Sequence, residues 1–341
     1  MTDDQWRDLR EIVRGEAVGP PRAGFIIDSP WLPRWRGIRI VDYFASDELW
    51  LEANLAAVRS FPEAIFLPGF WSEYGMCTEP SAFGSRCAFP ADEFPSAAKV
   101  LGSTDDIASL RIPDPRTDGL LPFALGRLTR LRPRIEEAGH AIRFAVARGP
   151  LNIASFLMGT TEFLEAMMLE PERAALLVSK VAAFLRNWIE LQREAIPTID
   201  GLLLLDDIIG FIGEREFLAF ALPIFDSLFD RSLSVRFLHN DAACRVSAPY
   251  LSRMGVNLFN MGFDIPLAEL GALAGSDVAL MGNLPPRDVL AAADPAAISR
   301  ETGAMVDALP DRSRVLFSCG GGMPPGVSTE NLKAFIAAVT G

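Results

Sequence analysis

The sequence predicts an α/β chain folded as a (β/α)8 TIM barrel. Three observations carry this expectation. Eight short, continuous apolar runs are spread along the chain, which is how strands buried on both faces read. Segments with apolar residues at helical spacing lie between them. The later runs each end in a polar or glycine-rich loop: LLDDIIG, LHNDA, FNMGFD, MGNLPP and FSCGGGMPP. Strand, loop and helix in repetition imply a parallel sheet with right-handed crossovers, and eight such units fit a barrel. The competing architecture is an open doubly wound sheet, but no GxGxxG follows the first run.

In chain order, residues 1–19 form a charged, amphipathic helical extension, and residues 20–341 make the barrel. The first strand is 23–28 (AGFIID) and the second 64–67 (AIFL). Residues 70–134, rich in Pro, Gly and charge, read as a long loop region over the active-site face. The third strand is 142–147 (IRFAVA). A clear amphipathic helix at 172–194 leads to the fourth strand at 201–205 (GLLLL). A helix at 214–229 precedes the fifth, 234–239 (SVRFLH). The last three strands are 256–260, 277–281 and 314–318. Ser328 or Thr329 caps the final helix, with Glu330 in its first turn.

Composition narrows the function classes. The formal net charge is −12, which argues against a nucleic-acid surface or a broad anionic-membrane patch. The four cysteines, Cys77, Cys87, Cys244 and Cys319, are scattered without a CxxC pair, so they read as free thiols in a reducing compartment. No apolar run reaches the length of a membrane span, and the first residues lack the apolar core of a signal peptide. A cytoplasmic protein is expected.

In a barrel of this class the reaction site lies at the C-terminal strand ends. Those ends hold Asp28, Asp206, Asp207, His239, Asp241, Asn260, Asn283 and Cys319. Asp206 and Asp207 read equally well as helix caps or turn formers. His239 and Asp241 lie two apart on one strand face, so an imidazole nitrogen and a carboxylate converge on one ion, with Cys319 as third ligand. Three protein ligands and an open position suit catalytic zinc. The plainer alternative is a His239 hydrogen-bonded inside the barrel mouth and a Cys319 that is a small buried hydrophobe. The Cys319–Gly322 stretch lets backbone approach a ligand, or it is simply a glycine-rich turn. Trp31, Trp35 and Trp71 wall an apolar pocket or belong to the core.

Several segments resemble one known family. MGNLPP, followed after about 35 residues by GGGMPPGVSTENL, is similar to the tail of the uroporphyrinogen decarboxylase superfamily. LLLLDDIIGF with EFLAFALPIFDSLF resembles its central strand and following helix, and VRFLHNDA the strand carrying its H-x-C-G segment. GPPRAGFIID and RGPLNIASFLMG resemble its first and middle strands. The resemblance implies a (β/α)8 barrel in one of two branches: cofactor-free uroporphyrinogen decarboxylases, or zinc methyltransferases serving corrinoids, thiols and methylated substrates. The decarboxylase branch carries R-Q-A-G-R after the first strand, where this chain reads IIDSPWLPRWR. In the methyltransferase branch zinc is held by the H-x-C pair and a later cysteine. His239 matches; Asp241 stands for the first cysteine, and Gly321 for the second, with Cys319 two residues earlier.

The resemblance therefore implies a metal-assisted methyltransferase with zinc on His239, Asp241 and Cys319, completed by Glu79 or Glu73. With fewer thiolates the site is harder, which suits activating a methyl ether oxygen. Asp206 or Asp207 orients the substrate or the metal's ligands, and Asn283 and Gly321 face the cofactor. The expected partners are a methylated small molecule and a separate corrinoid protein; a homodimer is compatible. Two other readings stay open. One is a decarboxylase or lyase using Asp28 or the Asp206–Asp207 pair as acid and Arg34, Arg36 or Arg148 as carboxylate clamps. The other is a non-catalytic barrel that binds a ligand or partner.

Overall fold

The computed structural model describes residues 1–27 and 29–341. Eight parallel strands form one curled sheet: β1 (Arg22–Ile26), β2 (Ile65–Leu67), β3 (Phe144–Arg148), β4 (Gly201–Leu205), β5 (Val235–Asn240), β6 (Leu258–Met261), β7 (Ala279–Leu284) and β8 (Val315–Cys319). Neighbours run β2-β1-β8-β7-β6-β5-β4-β3. This is the (β/α)8 order, with each strand ending within three residues of its predicted run.

Two apolar layers result from the period-2 alternation of side chains. One set fills the barrel: Ile26, Leu67, Val146, Leu203, Phe237 and Leu316 are among its members. The other set, including Phe25, Leu204, Leu238 and Phe317, packs outward against the helices. The helix Asp3–Arg14 closes the N-terminal end of the barrel with Trp6, Leu9, Ile12 and Val13, which join the interior cluster. Thr2 caps this helix through a capping box with Gln5.

Among the described residues β2 and β3 share no ladder, so this seam is closed by side chains. Below, the Gln5 amide donates to the carbonyls of Pro62 and Ala64 beside β2, while Arg143 beside β3 pairs with Asp3. Midway, buried Gln192 serves the free edge of β3: its Oε1 accepts from Val146 N at 3.0 Å and its Nε2 donates to Val146 O at 3.1 Å. At the top, Glu79 accepts from Arg148 N at 3.1 Å. Each buried backbone group on this edge that would otherwise lack a partner costs about 1–3 kcal/mol, which is why polar side chains occupy an apolar seam.

Two helical expectations are corrected. The predicted helix over 214–229 is broken into Glu214–Glu216, a π-turn at Phe217–Ala221 and Leu222–Leu228. Pro223 lacks an N–H and crowds the preceding turn. The region 70–134 is not loop throughout: helix Leu121–Glu137 occupies its end, with Pro133 inside it. Before that helix lie a short helix at Thr78–Ala82 and a two-stranded ribbon, Cys87–Ala88 with Ser96–Ala97. The helix Pro171–Ala195 forms where its spacing placed it. No helix among the described residues is long and apolar enough to cross a membrane.

Candidate metal centre

The C-terminal strand ends surround a cavity of about 360 Å³. Its polar floor is Asp207, His239 and Asp241, and Trp71, Met76 and Phe94 supply apolar wall. The three floor residues offer ligand atoms that all lie within 4.8 Å of one another.

Strand register explains the grouping. On β5, Val235 and Phe237 point into the barrel, so His239 does too. On β4, Leu203 and Leu205 take the inward parity, which Asp207 continues just beyond the strand end. His239 is 7% exposed, and its orientation is fixed from below. Asn260 donates from Nδ2 to Met281 O at 2.7 Å, so its Oδ1 is an acceptor. That oxygen lies 2.7 Å from His239 Nδ1. Nδ1 therefore donates to Asn260, and Nε2 is the ring nitrogen turned to the cavity. Nε2 stands 3.9 Å from Asp207 Oδ1, which also accepts from Asp241 N at 3.0 Å. Burial and the nearby Asp207 push the Asp241 carboxyl above the ordinary carboxylate range. Two neighbouring carboxylates beside an imidazole nitrogen are a donor set that a cation relieves.

The other predicted residues fall elsewhere. Cys319 has the outward parity of Val315 and Phe317 and joins the outer core. It is not in the floor group; its thiol, raised by burial to about 12, faces the carbonyls of Gly321 and Gly322. Glu79 and Glu73 are both engaged by buried Arg148, at 3.3 and 3.1 Å, and Ser29 Oγ also donates to Glu73. Asn283 donates to the Ile265 carbonyl at 2.6 Å and so braces the loop after β6. Asp28 lies outside the described residues. Of the tryptophans, only Trp71 lines the cavity; Trp31 and Trp35 stack on each other and bond to Val327 and Thr329. Arg34 reaches the Asp92 carbonyl and Arg36 lies over Trp35, so neither is a clamp at this floor.

The glycine-rich loop is also explained without a ligand. It crosses the barrel mouth, donating from Gly320 N to Leu284 O, Gly321 N to Met261 O and Met323 N to Ile26 O. A Cβ on Gly320 would fall 2.9 Å from the Gly262 carbonyl carbon, and one on Gly321, at φ +73°, 2.9 Å from Asp241 Oδ2. Gly321 thus lets the loop pass against the Asp241 carboxylate. Ser328 Oγ caps the last helix by accepting from Asn331 N.

Asp206 has the outward parity and caps helix Pro150–Met158, its Oδ2 accepting from Leu151 N at 2.8 Å. Gly149 leaves room for it; a Cβ there would sit 2.3 Å from Asp206 Cβ. Its Oδ1 has no partner among the described residues, and burial pushes its carboxyl up to about 8. In the unfolded chain the group titrates near 3.8. The folded protein holds the proton that the unfolded chain releases, so this group's contribution is lost progressively as pH rises from about 4 to about 8. Asp206→Asn, which cannot ionise, is expected to gain thermal stability over wild type at pH 8 relative to the difference at pH 5. Equal differences at both pH values would refute this.

Comparisons with known proteins agree with the fold. A model of the family described as "Uroporphyrinogen decarboxylase (URO-D)" matches residues 33–341. The chain belongs to the uroporphyrinogen decarboxylase family. Among its relatives, the uroporphyrinogen decarboxylase of Alcanivorax borkumensis is 24% identical, covering 91% of this chain and 89% of that protein. That of Aeromonas salmonicida is 23% identical, covering 98% and 95%. A solved methyltransferase from Methanosarcina mazei superposes with TM-score 0.81 at 18% identity, covering 98% of this chain and 97% of that one. That last likeness is one of fold.

Asn260 and Asp207 are legible in the sequence as polar strand ends, but their roles are not. Asn260 was visible only as a polar strand end, and nothing in a single sequence pairs it with His239. Asp207 could not be separated from its neighbour Asp206 without knowing which parity faces inward.

Proposed function

We propose that this protein is a metal-assisted methyltransferase that moves a methyl group between a methylated small molecule and a corrinoid carried by a partner protein. The observation that carries the reading is the Nδ1-protonated His239, held by Asn260, with Nε2 facing Asp207 and Asp241. One nitrogen and two oxygens suit zinc or a comparable divalent cation and leave open positions. A bound cation would supply a Lewis acid for an ether or hydroxyl oxygen.

The chain's own groups do the rest. Asn260 fixes the imidazole tautomer. Burial and the neighbouring Asp207 raise the Asp241 carboxyl, so a cation competes there with a proton and metal uptake strengthens as pH rises. Trp71, Met76 and Phe94 exclude water from one side of the cavity. Phe211 and Phe263, 65% and 53% exposed, stand on loops after β4 and β6 and offer separate apolar contacts to a carrier protein.

The relatives' names favour decarboxylation of uroporphyrinogen. Against that, the cavity lies at the small end of the roughly 300–1,000 Å³ range of ligand pockets. Arg34 and Arg36 lie away from the floor, and Arg148 is already paired with two glutamates. An octacarboxylate would need several free guanidinium forks.

The test incubates zinc-loaded protein with cob(I)alamin and 2-methoxyphenol and follows methylcobalamin formation by absorbance. Wild type is expected to exceed His239→Ala by at least about 100-fold, the scale of several kcal/mol of Lewis-acid stabilisation. Carbon dioxide release from uroporphyrinogen, without methylcobalamin formation, would overturn the reading.

A further inference from the structure

The cavity holds two arginines with opposite circumstances. Arg148 is buried and fully engaged by Glu73 and Glu79. Arg287 also lines the cavity, on the turn Pro286–Ala291 directly after β7. Among the described residues it makes no hydrogen bond and no ion pair. Its side chain is solvent-exposed, and its charge lowers the Asp241 carboxyl against the larger raising effect of burial. Most arginines elsewhere on this acidic surface have found a carboxylate or a carbonyl. A guanidinium left free at a cavity rim keeps five donors in a planar fork, shaped for a carboxylate.

From this placement we infer that the cavity takes a monocarboxylate with an apolar body, its carboxylate gripped by Arg287. The body lies along Trp71, Met76 and Phe94, which bring the apolar area that a charged end alone lacks. The reacting end then reaches the floor at Asp207, His239 and Asp241. Pro285 and Pro286 precede Arg287 and fix the backbone that carries it. The charges agree as well. With a dication on the two floor carboxylates, Arg287 adds an uncompensated positive charge at the rim, which a single anion neutralises. This inference rests on the proposed metal centre for its charge balance, though not for the guanidinium's own position.

The test uses benzoate and its neutral isostere benzamide as probes, titrated calorimetrically into zinc-loaded wild type and Arg287→Gln. Metal content is measured on the same samples. Benzoate is expected to bind wild type at least about tenfold tighter than benzamide, the scale of one charge-assisted hydrogen bond. Arg287→Gln is expected to lose that preference while keeping wild-type metal content and benzamide affinity. Equal affinity of wild type for the two probes, or no benzoate binding up to its solubility, overturns the inference. So does a preference for benzoate that survives in Arg287→Gln and vanishes when zinc is removed, since the metal is then the carboxylate's site. Absence of zinc from wild type refutes the metal centre separately; a benzoate preference lost in Arg287→Gln under those conditions still supports the carboxylate grip.

Discussion

Replacing His239 with alanine is expected to take the protein from near-stoichiometric zinc to almost none, with the fold retained. His239 supplies the only nitrogen of the floor group. Removing it leaves two carboxylates, which hold zinc weakly in competition with water. The loss should exceed the 10–100-fold typical of removing a residue that only orients a ligand. Asn260→Ala is such a removal and is expected to fall in that range, because the imidazole can then rotate and change tautomer. Cys319→Ala is expected to leave metal content unchanged, since the thiol points into the outer core. Elemental mass spectrometry on the three variants beside wild type checks all of this. Zinc retained in His239→Ala, or lost in Cys319→Ala, would refute the assigned ligand set.

Arg148→Met is expected to destabilise the fold by about 3–5 kcal/mol, the cost of leaving buried charge without its partner. Arg148 is 6% exposed, with Glu73 and Glu79 at 3% and 2%. Its removal strands both carboxylates in the β2–β3 seam, where no ladder compensates. The decisive comparison adds Glu73→Gln and Glu79→Gln to Arg148→Met. The amides keep an acceptor for Ser29 Oγ and for the Arg148 backbone N–H, which that substitution retains, but they carry no charge. The triple variant is expected to recover most of the loss in urea midpoint. If it is no more stable than Arg148→Met alone, packing of the arginine and not charge pairing holds the seam.

The fold was largely legible because eight apolar runs, each followed by a polar loop, leave few topologies open. The same feature hid part of the site. A strand buried on both faces shows no polar alternation, so β8 gave no sign that Cys319 faces the helices, and β4 none that Asp207 and not Asp206 faces the mouth. The seam was invisible for another reason: Gln192, Glu73 and Glu79 look like ordinary polar residues until the curl of the sheet brings them to the edge of β3. Arg287 stands just beyond MGNLPP, a segment the family resemblance singled out, yet its significance is that it has no partner among the described residues, and partners are not written in one chain's order.

By itself the sequence determined the barrel, the acidic charge, the capped final helix and the pair His239 and Asp241 at one strand end. Hydrophobic runs and caps act over a few residues, and neighbours two apart on a strand share a face whatever the rest of the chain does. Only the tertiary structure decided which of two adjacent aspartates joins that pair, which way Cys319 turns, and which of the cavity's two arginines is already paired. Those choices depend on register and curvature summed over strands more than a hundred residues apart, a distance over which local sequence preferences carry no information.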